Sequence, residues 1–224
     1  MTTTPSKTSG PQPTAVLPPG TLVLASASPR RREILTRMGL EFEIRPPDLD
    51  ETALAGESPE ALVVRLARGK AQAIADVLLA GPRRWVLGSD TVVVLGEDII
   101  GKPADEGDAV AMLGRLTGQT HRVITGIAVI DAREGGALAE AVSSEVVMRP
   151  ADEEEIRAYV ATGESLDKAG AYALQGGGRR FVTRVVGSES NVIGLPMDET
   201  RELLGRAAAG AANRGSDSAA RGGP

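Results

Sequence analysis

The sequence predicts an α/β or α+β protein with a mixed, largely antiparallel central sheet flanked by helices. Three observations carry that expectation. β-branched, strand-like runs alternate with helical stretches; two pairs of strands are joined by short glycine turns; and 42% of the 224 residues are hydrophobic, enough for one good-sized domain. The two hairpins exclude a purely parallel sheet.

In chain order, the apolar run from Thr21 to Ala27 reads as a first strand. Ser28 then offers an N-cap with Pro29 at the first helical position, and Gly39 closes that helix. A short strand follows in FEIRP. Ser58 and Pro59 repeat the start for a long helix, EALVVRLARGKAQAIADVLLA, which Gly81-Pro82 stops. Arg84 to Leu95 is a strongly β-branched strand, turned by Gly96-Glu97-Asp98 into IIGKP as a hairpin. Asp105 to Leu116 is helical. HRVITGIAVIDA and ALAEAVSSEVVMR, joined by REGG, form a longer hairpin, and EEEIRAYVATG returns to helix. FVTRVVG is a last strand and MDETRELLGRAA a last helix, which Asp198 is able to cap. There is no internal repeat. Residues 1–20, rich in Thr, Pro and Gly, and residues 208–224, small and polar, read as disordered tails around one domain over 21–207.

Composition narrows the function. With 25 Lys and Arg against 30 Asp and Glu, a net charge of −5 and 2% aromatics, the chain has neither the basic field nor the stacking platforms of a generic nucleic-acid binder. Any anionic ligand must be caught by a few cations gathered at one place. The front has no apolar stretch behind a basic start, and no run approaches the ~18 apolar residues of a membrane span, so a cytoplasmic protein without membrane partners is expected. Zero cysteines exclude disulfides, thiolate catalysis and Cys-ligated zinc, and one histidine excludes a multi-histidine metal site.

Three stretches carry candidate chemistry. In SASPRRRE, three arginines enter the first turns of a helix whose start is already positive, which costs stability unless something negative offsets them. The bland reading is three solvated arginines. The functional one is a phosphate cradle, with a hydroxyl from Ser26 and bidentate charge from Arg30 and Arg31. Successive helical residues point about 100° apart, so at most two of the three can face one ligand. In LGSDTVVV, Asp90 is a costly choice in an apolar strand unless it is paired, hydrogen-bonded or on a metal. It is either a residue of a bulge or turn, or a carboxylate held at a strand's mouth to bind a divalent cation or take a proton from water. Lys102, between Gly101 and Pro103, has a set position. In GESLDKAGAYALQGGG, Asp167, Lys168, Tyr172 and Gln175 stand in a long segment with neither helical nor strand period, which points to an ordered functional loop. The lone His121 reads as structural rather than catalytic.

Together SASPRRREIL, GSDTVVV followed by GKP, LTGQTHRVITG, GESLDKAGAYALQG and NVIGLP, in this order, closely resemble the Maf family of nucleotide pyrophosphatases, over roughly Leu22 to Leu204. The resemblance implies an ITPase-like fold with a deep cleft, in which a nucleoside triphosphate is hydrolysed to the monophosphate and pyrophosphate. Ser26, Arg30 and Arg31 match the family's phosphate-side residues, Glu51 its acidic residue after the second strand, and Lys70 and Lys102 its two lysines. Asp90 matches the aspartate taken as general base. Asp90, Glu51 and Lys102 are thus the expected catalytic set, with Asp90 and Glu51 as ligands of Mg²⁺ or Mn²⁺. Arg31, Thr91 and Gln175 match the branch resembling dTTP and UTP pyrophosphatases. Ser89 departs from the alanine common in the motif. A triphosphate brings about four negative charges, which Arg30, Arg31, Lys70, Lys102 and one divalent ion could neutralise. Other readings are a non-catalytic nucleotide-binding regulator of cell division, and a housekeeping pyrophosphatase acting on ITP or XTP. A homodimer is left open.

Overall fold

The computed structural model describes residue 17 and residues 21–220. Seven strands and six helices follow in the order β1 Leu22–Ala25, α1 Pro29–Arg37, β2 Phe42–Ile44, α2 Pro59–Leu78, β3 Trp85–Leu95, β4 Asp98–Ile100, α3 Glu106–Leu116, β5 Thr120–Asp131, β6 Ala137–Met148, α4 Glu153–Val160, β7 Val182–Val186, α5 Glu189–Ile193 and α6 Met197–Ala220. The sheet runs β2-β1-β3-β5-β6-β7, with β4 paired to β3. β1 lies parallel to β2 and β3, while the other pairings are antiparallel, so the sheet is mixed as expected.

The serines set the helix starts. Ser58 Oγ accepts the Ala61 N–H at 3.2 Å with Pro59 in the first turn, and Asp105 and Asp152 cap α3 and α4 in the same way. Side chains then alternate across the strands. Leu22 and Leu24 face Ile34 and Leu35 of α1 and Leu203 and Leu204 of α6, whereas Val23 and Ala25 face Ala67 and Ala71 of α2. A third cluster joins Leu113, Leu116, Ile156, Tyr159 and Phe181 at the far end of the sheet.

Two glycines decide how close α2 lies. A Cβ on Gly88 would sit 2.1 Å from the Ala67 carbonyl, and one on Gly126 would sit 2.2 Å from that of Val63. Only the bare backbone of β3 and β5 admits the helix at this distance. That approach brings Lys70, in the middle of α2, against β3.

Register opens a gap in the sheet. β1 covers β3 from Trp85 to Gly88 and β4 covers it from Val93 to Leu95, so Ser89–Val92 has no strand neighbour on that edge. The chain leaves β1 just beside this gap and turns into the start of α1. Ligands of open α/β sheets gather where strands end in this way.

The ends differ from the sequence expectation in one respect. Residues 1–20, but for Leu17, and 221–224 lie outside the described residues; Leu17 packs against the α1–α6 core. Helical backbone covers 208–220, where a tail without structure is expected, because an alanine-rich stretch readily propagates a helix that packing has already nucleated.

Candidate active site

One cleft of about 680 Å³, of a size to take a small molecule, opens at the gap. Ser26, Arg30, Arg31, Glu51, Lys70, Asp90, Thr91, Lys102 and Gln175 all line it. They come from separate places: the β1–α1 turn, the β2–α2 loop, α2, β3, the segment after β4 and the glycine-rich loop.

The turn after β1 makes the anion side. Ser28 caps α1 by accepting the Arg31 N–H at 3.5 Å, and its own N–H donates to Ser26 Oγ at 3.2 Å. The first turn of α1 holds no acidic residue, whereas those of α2, α3 and α4 do. Its positive end is therefore left without a counter-charge from its own residues. Arg30 and Arg31 line the cleft and Arg32 points to solvent, which matches the limit that helical spacing sets.

Arg31 is tied down on three sides. Its Nε donates to the Gly194 carbonyl at 2.9 Å, Nη1 to Ser26 Oγ at 3.1 Å and Nη2 to Thr91 Oγ1 at 3.2 Å. Two of its five N–H donors remain for a ligand. Burial pulls this guanidinium below its ordinary pKa, the nearby Asp90 charge opposes that, and Arg30 adds to it. Ser89, the departure from the family motif, donates to the same Gly194 carbonyl at 3.3 Å. Arg30 instead reaches across the cleft to Asp167 Oδ2 at 3.3 Å.

Opposite lies the carboxylate side. Lys70 Nζ stands 2.7 Å from Asp90 Oδ1 and 2.6 Å from Glu51 Oε1. Lys70 and Asp90 are both buried, so neither ion would be tolerable alone. Asp90 is not in a bulge: it sits in register within β3, opposite Gly126. Partial burial raises the Glu51 carboxyl, but the hydrogen bond and charge of Lys70, with the charges of Lys102 and Arg31, outweigh it and hold it below the ordinary range. Among the described residues no group of three His, Cys, Asp or Glu side chains could cage a metal. Two carboxylates converging on one cation do suit Mg²⁺, which is usually held by one or two carboxylates together with substrate phosphates.

The glycine-rich loop closes the third side with two short 3₁₀ turns, Ala169–Ala171 and Gly177–Phe181. The Gly170 N–H donates to the Gly101 carbonyl at 2.9 Å, which ties the loop to the segment that carries Lys102. Lys168 donates to the Glu164 carbonyl at 2.6 Å and pairs with Asp167. Gln175 stands exposed at the rim. Below it, the Tyr172 hydroxyl meets His121 Nε2 at 2.9 Å, and burial pulls the imidazole down to about 4, which makes it a neutral structural group.

Sequence reasoning assigned no role to Thr125, Asn191 or the Gly194 carbonyl. Thr125 Oγ1 is 2.9 Å from Thr91 Oγ1 and donates to the Asn191 carbonyl at 3.0 Å, while the Asn191 amide donates to the Val123 carbonyl and to Ser144 Oγ, each at 3.0 Å. A threonine before a glycine in an otherwise apolar strand was the available signal.

Arg30, Arg31, Lys70, Lys102 and Lys168 face Glu51, Asp90 and Asp167 in this cleft, a local positive excess on a chain of net charge −5. Fold and site together define an α/β protein with a cation-rich cleft beside a pair of carboxylates. The chain matches the family described as Maf-like protein over residues 21–207, and it belongs to that family. A protein of Geobacter sulfurreducens named dTTP/UTP pyrophosphatase is 51% identical over 84% of this chain and 96% of its own length. One of Anaeromyxobacter dehalogenans with the same name is 50% identical over 83% and 93%. A solved nucleoside-triphosphatase, dITP/XTP pyrophosphatase, of Mycobacterium abscessus aligns with 57% of this chain and 73% of its own at 15% identity and a TM-score of 0.33, too slight a likeness to argue from.

Proposed function

We propose that this chain hydrolyses dTTP and UTP to the nucleoside monophosphate and pyrophosphate. The observation that carries the reading is the gathering of five cationic side chains around Asp90 and Glu51 in one cleft of an acidic protein. The names of the half-identical relatives support the same substrates.

On this reading water attacks the α-phosphorus, the α–β anhydride bond breaks, and pyrophosphate leaves. Asp90 takes the proton of the attacking water. Its Oδ1 is held by Lys70, and Oδ2 has no protein partner among the described residues, which leaves a fixed carboxylate with one oxygen to spare. Arg30, Lys102 and the two free donors of Arg31 bind the phosphates and stabilise the charge that develops on the leaving pyrophosphate. A divalent ion, Mg²⁺ or Mn²⁺, held by Asp90 and Glu51 with phosphate oxygens, would supply further neutralisation. The Gln175 amide both donates and accepts, so it can read the adjacent carbonyl and N–H of uracil or thymine. The protein then acts on free nucleotides in the cytoplasm, with no nucleic acid or membrane partner.

A panel of nucleoside triphosphates, with pyrophosphate and orthophosphate detected separately, tests this. Pyrophosphate release fastest from dTTP and UTP is expected. Orthophosphate release, or a clear preference for ITP, refutes it.

A further inference from the structure

Two charged side chains that line the cleft take no step in the reaction above, Asp167 and Lys168. They stand together with Arg30. Asp167 divides its carboxylate between the two cations, with Oδ2 at 3.3 Å from Arg30 across the cleft and Oδ1 paired with Lys168. Lys168 is only 14% exposed and is fixed from behind by the Glu164 carbonyl at 2.6 Å, so it stays on the cleft wall whatever its partner does. An ammonium has three N–H donors, and one of them remains open. Arg30 gives Asp167 a single donor from Nη1. The rest of its fork is left for a ligand.

Asp167 is held unlike the other carboxylates of the cleft. Asp90 is buried against Lys70, and neither of those ions would be tolerable alone. The Asp167 side chain is 66% exposed, so its pairing contributes little and its charge can turn into water at small cost. A carboxylate that bridges two cations covers the span that two oxygens of a phosphate would cover, and Arg30 can bind either group in the same way. A phosphate brings more charge and a third oxygen. It therefore wins the exchange.

We propose that Arg30 and Lys168 form a phosphate subsite and that Asp167 is its stand-in anion: it holds the pair while the cleft is empty, gives way to a phosphate of the ligand, and competes again for the pair when pyrophosphate is to leave. Asp167 thus weakens the hold of the cleft on polyanions. The inference rests on the triphosphate reading above and adds Lys168 to the side chains that meet the phosphates.

The test is the calorimetric affinity for pyrophosphate, at one fixed ionic strength, of the wild type, Asp167→Asn, Asp167→Glu and Lys168→Gln. Asparagine keeps the size of Asp167 and loses its charge. Removing one unit charge about 6 Å from a ligand of about three negative charges should tighten binding roughly fivefold or more in water at moderate salt. Asp167→Glu keeps the charge and is expected within about twofold of the wild type. A carboxylate that served structure alone would, on removal, leave binding unchanged or weaken it, and either result in Asp167→Asn overturns the inference. Lys168→Gln can still donate to the Glu164 carbonyl but brings no charge, and a loss of roughly tenfold in affinity is expected. Unchanged affinity there overturns the part given to Lys168. Should pyrophosphate binding follow this pattern while no nucleoside triphosphate yields pyrophosphate, the functional reading fails and the subsite stands; turnover of dTTP or UTP without tighter binding in Asp167→Asn refutes this inference alone.

Discussion

Replacing Lys70 with methionine should destabilise the protein in a way that depends on pH. Methionine keeps most of the apolar stem packed in α2 but removes the ammonium that stands 2.7 Å from Asp90 and 2.6 Å from Glu51. The two facing carboxylate oxygens are then no more than about 5 Å apart, and their repulsion is about 3 kcal/mol at an effective dielectric of 20 and about 1 kcal/mol in water. Glu51 is 51% exposed, so its share lies toward the lower figure. Asp90 is 8% exposed, and a buried charge stripped of its partner costs about 3 to 5 kcal/mol. A loss of about 3 kcal/mol at pH 7.5 follows, which for a chain of this length is a fall in Tm of about 6 to 12 °C. The Glu51 pKa is lowered in the folded wild type, so the stability its pairing contributes is present above the ordinary value of 4.5 and is lost as pH falls through the lowered one. In the variant, protonating either carboxyl relieves the repulsion. The gap in Tm between the two proteins should therefore be wide at pH 7.5 and narrow only as the pH falls below 4.5. Thermal melts across that range decide it. A gap that does not change with pH refutes the ion-pair argument and leaves Lys70 with packing alone.

Further expectations follow from the same geometry. Asp90→Asn should lower kcat for dTTP by about 10²-fold or more while a non-hydrolysable analogue still binds; retention of over a tenth of the rate would move the role of base to Glu51. Gly126→Ala should cost about 1 to 3 kcal/mol, because its methyl would stand 2.2 Å from the Val63 carbonyl, and an unchanged Tm would contradict so close an approach of α2. The only histidine, His121, should stay neutral from pH 8 down to pH 5, with proton NMR of its ring showing titration near 4 rather than near 6.5. Its folded pKa is depressed, so the unfolded chain binds more protons below pH 6.5, and His121 should reduce stability progressively as pH falls from there toward 4.

Much of this fold is local and could be read along the chain. The Ser28-Pro29 and Ser58-Pro59 starts, the β-branched run of β3 and the glycine turns that make two hairpins all act over a few residues, where capping and dihedral preference decide the outcome. The pairing of two arginines with one ligand face follows from helical pitch alone. Tertiary structure decided the rest. α5 is five residues long, too short to show a period, and is held by Asn191 bonded to β5 and β6. The placing of β1 between β2 and β3, and with it the uncovered stretch Ser89–Val92, depends on pairings between distant segments. Sequence marked Arg31, Thr91, Lys70, Glu51 and Asp90 singly. That Arg31 spends three donors on the protein, one of them on a carbonyl 163 residues away, is invisible in composition or spacing. So is the convergence of Glu51 and Asp90 on one ammonium, because it exists only when Gly88 and Gly126 let a helix settle onto two strands.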